Sequence, residues 1–172
     1  MSGRILVAGI GNIFLADDGF GCEVVWRLAG RELPENVEVR DFGIRGIDLA
    51  YALMDPYEAV VFVDAVSRGE EPGTVYLIEA EVPEEGEVAL DTHSMDPVKV
   101  IRLARVLGAE IPRTLVVGCE PKVVLSGEHY DDMLMQLSLP VQEAVDEAVK
   151  LVESVVEEIT TKTANKNLKP DA

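Results

Sequence analysis

The chain has 172 residues with 32 acidic and 15 basic side chains, which gives a formal net charge of -17. Such a surface repels the phosphates of nucleic acids and anionic membranes, so neither is an expected partner. Hydrophobic residues make up 48% of the sequence, which is enough for one compact globular domain and excludes a disordered acidic chain.

Cysteine usage and the absence of long apolar runs indicate the compartment. Cys22 and Cys119 are isolated and lack CxxC spacing, as is usual in a reducing cytosol. The apolar stretch within residues 1–16 contains glycines and predicts a strand and a loop, not a signal peptide. No run approaches the ~20 apolar residues of a transmembrane helix. We expect a cytoplasmic monomer without membrane insertion.

The first predicted element is the apolar run Arg4–Gly11, which ends in glycines. It is typical of a strand buried on both faces, as in a parallel sheet. Asp17 and Asp18 follow at the expected position of a helix N-cap. The apolar spacing then predicts a helix over Phe20–Leu28, closed by Gly30.

Strands and helices continue to alternate along the chain. Strands are predicted at 37–42, 59–64, 74–78 and 114–118, and helices at 47–54, 97–107 and 140–159. This order predicts an α/β three-layer sandwich, with a mostly parallel twisted sheet of about five strands and helices on both faces. Residues 160–172 lack apolar periodicity, so we expect a single domain over 1–159 and a mobile tail beyond it.

Several acids follow the carboxyl ends of the predicted strands, where open α/β sheets place their sites. Asp18 follows the first strand, Asp41 the second and Asp64 the third. A dinucleotide site is disfavoured because Phe14 stands where the fingerprint needs its third glycine. Acids at the start of the first helix would also repel a pyrophosphate.

The same acids can attract a cation, for which a neutral imidazole is the expected partner ligand. His93 precedes the third predicted helix and can reach the sheet edge that carries Asp64, whereas His129 is expected at the surface. Asp18, Asp64 and His93 form a candidate site for Ni, Zn or Mn. The plainer alternatives are a helix cap for Asp18 and a turn residue for Asp64.

The sequence resembles the hydrogenase maturation endopeptidases in five blocks that occur in the family's order. The blocks are 9–21 (GIGNIFLADDGFG), 41–46 (DFGIRG), 63–65 (VDA), 93–97 (HSMDP) and 117–121 (VGCEP). The similarity spans residues 5–159, and five ordered blocks are more specific than any single motif. The resemblance implies a twisted sheet flanked by helices. It also implies one cut near the C-terminus of the large-subunit precursor of a nickel–iron hydrogenase, after nickel insertion.

The metal-contacting residues of the family fall on Asp18, Asp64 and His93, the first of which is Glu in some members. Asp41 matches a further acid of the family's cleft. We expect the nickel to arrive with the precursor, no organic cofactor, and Asp64 or Asp41 to assist the attack of water. A resident metal is the alternative route. A non-catalytic nickel-sensing chaperone or docking module is the alternative function, and a flavodoxin-like nucleotide binder ranks last.

Overall fold

A computed structural model of the chain describes residues 3–81, 96–129 and 132–168. The strands are β1 (Arg4–Ile10), β2 (Val37–Gly43), β3 (Tyr57–Ala65), β4 (Val75–Glu79) and β5 (Arg113–Cys119). The helices are α1 (Phe20–Leu28), α2 (Gly46–Ala52), α3 (Pro97–Val106) and α4 (Leu139–Asn167). Each predicted strand and helix is present, and the bounds of α1 are those expected from its apolar spacing.

The five strands form one sheet in the order β2-β1-β3-β5-β4. The first four in this order are parallel, and β4 runs antiparallel to β5 at the edge. The chain leaves β1 towards β2 on one side, whereas β3 lies on the other side. This change of direction beside β1 is where ligands bind in open α/β sheets. The predicted α/β fold is confirmed.

Helices cover both faces of the sheet because successive strand residues point to opposite sides. On one face, Ile5 and Val7 of β1 are buried with residues of α1 and α4. On the other face, Leu6 and Ala8 are buried with residues of α2 and α3. Within the described ranges, no helix is long and apolar enough to cross a membrane.

Gly21 allows α1 to pack directly on the sheet. A Cβ atom at this position would lie 2.0 Å from the carbonyl oxygen of Val63 and 2.5 Å from that of Ile10. Both contacts are to backbone, which cannot move aside as a flexible side chain would. The glycine therefore brings the start of α1 close to the carboxyl ends of β1 and β3.

The predicted end of the last helix is wrong. The helix continues from Ile159 to Asn167, through residues expected to belong to the tail. Polar contacts hold this extension. Thr160 is hydrogen-bonded to Asn36, Lys162 forms an ion pair with Glu158 one turn away, and Thr163 Oγ1 donates a hydrogen bond to Glu58. Apolar periodicity does not record polar contacts of this kind, so it placed the end too early.

Candidate active site

A cleft of about 240 Å³ opens beyond the carboxyl ends of the parallel strands. Its polar lining includes Asn12, Asp18, Ser67 and Ser126, and its apolar lining includes Leu15, Ile44, Val123, Val124 and Leu125. The segment that follows β1 forms one wall, and the segment that follows β5 forms the opposite wall. The cleft therefore lies at the edge of the sheet where the sequence placed the candidate site.

Asp18 lines this cleft and does not cap α1. Its Oδ2 atom accepts a hydrogen bond from Asn12 N at 2.7 Å. Residues Asp17–Gly19 form a 3-10 turn before the helix, and Gly19 occupies the N-cap without a side-chain bond. The helix-cap prediction for Asp17 and Asp18 is therefore wrong, because the turn separates both carboxylates from the first helical N–H groups.

The position of Asp18 depends on the close approach of the Gly11 backbone. Gly11 has φ +131°, and a Cβ atom there would lie 1.9 Å from the carbonyl oxygen of Asp18. We expect Gly11→Ala to lower the free energy of unfolding by roughly 3 kcal/mol or more, from backbone strain and a backbone clash together. Urea unfolding measures this loss.

Gly69→Ala is the matched control, because Gly69 also has positive φ (+79°) but no heavy atom within 4 Å of the added Cβ. It isolates the strain, which is about 1 kcal/mol for a residue of this kind. Equal losses in the two variants would show that Asp18 does not need the close approach.

Asp17 anchors the whole cleft instead of a helix end. The residue is fully buried. Its carboxylate accepts hydrogen bonds from Lys122 N at 2.9 Å, Val123 N at 2.8 Å, Ser138 N at 2.7 Å and Ser138 Oγ at 2.8 Å. These donors belong to the segment after β5 and to the residue that precedes α4. One side chain thus joins both walls of the cleft to the longest helix.

Ala16, the residue before Asp17, has an unfavourable backbone conformation. It has φ 51° and ψ -118°, and it is the single non-glycine residue with positive φ in the described part of the chain. Its N–H donates to Leu134 O at 2.7 Å, and Ala16 also forms a β-bridge with Val124. Such a conformation persists where surrounding contacts determine it. These contacts orient Asp17 into the core and Asp18 towards the cleft.

Asp64 lies near the end of β3 and is 7% exposed. Burial raises the pKa of its carboxyl well above the usual value, and the charges of Asp18 and Asp96 raise it further. Burial also raises the pKa of Asp18, while its hydrogen bond from Asn12 opposes the change. The charge of Asp18, which lines the cleft, therefore acts on the buried carboxyl group of Asp64, and a cation close to both groups would stabilise their anions.

Asp41 lies within β2, two residues before its end. Its carboxylate accepts hydrogen bonds from Gly43 N at 2.9 Å and Cys22 Sγ at 3.3 Å on Oδ1, and from Trp26 Nε1 at 2.8 Å on Oδ2. The side chain is therefore held in place by three donors. Sequence reasoning found Asp41 but not the donors from α1.

Cys22 shows that the three acids converge. The residue is buried, as predicted. Burial raises the pKa of its thiol to about 12, with further increases from Asp41, Asp18 and Asp64 in that order. All three carboxylates thus act on one side chain at the start of α1. At neutral pH the thiol keeps its proton and can donate a hydrogen bond to Asp41 Oδ1 at 3.3 Å, with Gly11 O at 3.6 Å as a second acceptor.

Glu120 follows β5 and is bound by donors from the segment after β3 and from β4. Its carboxylate accepts hydrogen bonds from Arg68 N at 2.7 Å, Gly69 N at 3.2 Å and the hydroxyl of Tyr76 at 2.7 Å. The bond from Tyr76 is the main reason that the pKa of Glu120 is lowered. Glu120 therefore fixes the segment after β3, which includes the cleft residue Ser67, and takes no place in the acidic pair.

His93 lies outside the described residues, whereas His129 is exposed as predicted. Within the described ranges, no group of three or more His, Cys, Asp or Glu side chains is arranged to hold a metal ion. Asp96 is the described residue that precedes α3: its side chain caps the helix, accepting a hydrogen bond from Val98 N at 2.7 Å, and its charge acts on Asp64.

The profile of the family described as hydrogenase maturation protease (HycI) matches residues 22–155. This chain belongs to the hydrogenase maturation protease family. The matched range includes Asp41, Asp64 and His93 and begins after Asp18. A protein of Methanocaldococcus jannaschii assigned to the hydrogenase maturation proteases is 35% identical over 150 residues, covering 86% of this chain and 93% of that protein.

Two solved structures of proteases from this family are also similar. The hydrogenase maturating endopeptidase HybD of E. coli has a TM-score of 0.70 and 29% identity, and the match covers 90% of this chain and 93% of HybD. The hydrogenase 2 maturation peptidase of a Thaumarchaeota archaeon has a TM-score of 0.65 and 31% identity, with 90% and 98% covered. The predicted family and the predicted endopeptidase class are confirmed.

Proposed function

We propose that this protease removes a C-terminal peptide from the nickel-loaded large-subunit precursor of a nickel–iron hydrogenase. The observation that carries the proposal is the pair of desolvated carboxyl groups formed by Asp18, which lines the cleft, and the buried Asp64, on which Asp18 acts, in a chain that belongs to this protease family. A charged pair without a buried cationic partner is costly to keep in a folded protein. A cation on the substrate supplies that partner at the moment of binding.

The nickel is cargo of the precursor in this account. Asp18 and Asp64 offer oxygen ligands, and His93 supplies a nitrogen ligand, a combination suited to a borderline divalent ion. Support for His93 comes from Asp96, which lies three residues further along and acts electrostatically on Asp64. Three ligands leave coordination positions open for the groups that already hold nickel in the precursor.

Peptide hydrolysis then requires a water molecule and a group that accepts its proton. Asp64 and Asp41 are the candidates, because they lie near the carboxyl ends of β3 and β2 and both act on Cys22. Asp64 becomes a carboxylate when a cation neutralises its surroundings, which releases the proton that burial favours. Asp41 is held by three donors and keeps one direction of approach open at Oδ2.

The walls of the cleft suit an unfolded peptide segment. Leu15, Ile44 and Val124 line it with apolar surface, and Ile44 and Val124 are more than half exposed. Exposed apolar side chains beside a polar floor are typical of surfaces that bind another protein. We place the protein in the cytoplasm as a monomer, in keeping with two free, buried cysteines and an acidic surface that favours solubility.

Mass spectrometry of the precursor distinguishes the protease from the alternative, a nickel-sensing chaperone or docking module. The protein is incubated with the nickel-loaded large-subunit precursor, and the intact mass is followed with time. We expect a single loss that corresponds to one C-terminal peptide. A stable complex with an unchanged precursor mass would support the chaperone and contradict the protease.

A further inference from the structure

We propose that Trp26 is a positioning residue of this site, whose indole N–H, together with the thiol of Cys22, holds the carboxylate of Asp41 in one orientation near the cleft residue Gly11. The inference rests on the proposed function, since it concerns the carboxylate that assists hydrolysis. It assigns a role to two side chains of α1 that lie outside the acidic set.

Each oxygen of the Asp41 carboxylate accepts a hydrogen bond from a different residue of α1. Trp26 Nε1 lies 2.8 Å from Asp41 Oδ2, and Cys22 Sγ lies 3.3 Å from Oδ1. The two donors are four residues apart, so they project from the same face of α1. Gly43 N adds a third bond to Oδ1 at 2.9 Å. The plane of the carboxylate is therefore fixed from both of its ends.

The exposure of the Trp26 side chain indicates that its main role is not packing in the core. The Trp26 side chain is 49% exposed, whereas the core residues of α1, such as Val24, Val25 and Leu28, are buried. A large aromatic residue at a half-exposed position gains less from burial than a core residue does. Its polar atom, in contrast, bonds to a charged acceptor, the stronger class of hydrogen bond.

The arrangement leaves Asp41 with a defined free direction. A carboxylate offers about four acceptor positions, of which three are used here. The remaining position is on Oδ2, the oxygen that Trp26 holds. A water molecule that gives its proton to Asp41 would approach there. Loss of the indole N–H allows the carboxylate to rotate, which affects the chemical step more than substrate binding.

Trp26→Phe tests the proposal, because it removes the N–H donor and retains an aromatic ring. We expect kcat for cleavage of the nickel-loaded precursor to fall about tenfold, with KM within about twofold of the wild-type value. Urea unfolding followed by circular dichroism should show a cooperatively folded variant with a midpoint slightly below that of the wild type, because one hydrogen bond at a half-exposed position is lost. Tyr51→Phe is the matched control: it removes a polar hydrogen from a 57% exposed aromatic side chain on α2, on the other face of the sheet.

Variants of Cys22 provide a second test of the same proposal. Cys22→Ala removes the donor to Oδ1, and we expect a similar fall in kcat, whereas Cys22→Ser keeps a donor and should retain most of the activity. A wild-type kcat in Trp26→Phe, or equal losses in both Cys22 variants, would overturn the positioning role. A wild-type protein that fails to cut the precursor would instead overturn the proposed function, so the two failures are distinguishable.

Discussion

Asp64→Asn should reduce cleavage of the nickel-loaded precursor by about a hundredfold or more. The substitution removes a negative charge that faces the substrate's cation and a group that can accept the proton of water. Rates are measured from the mass of the precursor against time. Asp55→Asn is the control, since Asp55 is an exposed carboxylate whose ion pair with Arg4 spans 3.7 Å. Cleavage at the wild-type rate in Asp64→Asn would contradict the site.

Substitution of the two histidines gives a second test variant with a matched control. His93→Gln should lose cleavage to a similar extent, because it removes the one nitrogen ligand proposed for nickel. His129→Gln should cleave normally, since that side chain is exposed and outside the cleft lining. Equal activity in the two variants would remove His93 from the account.

The same Asp64→Asn substitution should stabilise the metal-free fold. Burial raises the pKa of Asp64 above its usual 3.8, so the folded protein binds this proton more tightly than the unfolded chain. The stability from this group is complete below pH 3.8 and is lost as the pH rises towards the folded-state pKa. The variant should therefore have a higher Tm than the wild type between pH 4 and pH 7. The increase should be about 2–4 °C for each kcal/mol that the substitution adds to the free energy of unfolding.

Thermal unfolding in buffer with a chelator measures this gain. An Asp64→Asn variant that is less stable than wild type at pH 7 would show that the folded protein already neutralises the carboxylate. The predicted combination of lost cleavage and gained stability is characteristic of a charged functional site, where function is maintained at a cost in stability.

Asp17→Ala has the largest expected effect on stability. The buried carboxylate accepts four hydrogen bonds, and its removal leaves Lys122 N, Val123 N and Ser138 N without an acceptor. We expect a loss of about 3–5 kcal/mol in the free energy of unfolding. Urea unfolding gives the value. Asp48→Ala is the control, because Asp48 is exposed and pairs with Arg45 at 3.6 Å, a contact worth at most about 1 kcal/mol.

Ser138→Ala separates the contributions within this anchor. It removes one hydroxyl donor and leaves the three backbone bonds to Asp17 intact, so about 1 kcal/mol is expected. A loss below 1 kcal/mol in Asp17→Ala would contradict the role of Asp17 as the link between the cleft walls and α4.

The fold followed closely from the sequence because hydrophobic periodicity is a local signal. The run Arg4–Gly11 and the spacing within Phe20–Leu28 each specify one element without reference to the rest of the chain. The place of the cleft also followed, because parallel strands bring their carboxyl ends to one edge. The same rule predicted that Asp18, Asp41 and Asp64 lie near this edge, and their roles there remain a proposal.

The partners of individual side chains were not predictable, because they lie far apart along the chain. Asp17 bonds to residues 105 and 121 positions away, and so its carboxylate was assigned to the nearest helix end. The four-residue spacing of Cys22 and Trp26 was visible, but nothing local shows that both face Asp41. The extension of α4 depends in part on Thr163 meeting Glu58, again 105 positions away.

The most direct test of the account compares nickel-loaded and nickel-free large-subunit precursor as substrates for the same chelator-treated protease. Cleavage of each is followed by intact mass, and the metal content of the protease is measured after gel filtration. If nickel arrives with the precursor, a protease that carries no stoichiometric metal will cleave the nickel-loaded precursor and will cleave little or none of the nickel-free form. Equal rates on both precursors, or a metal that stays with the isolated protease through chelation, would contradict it.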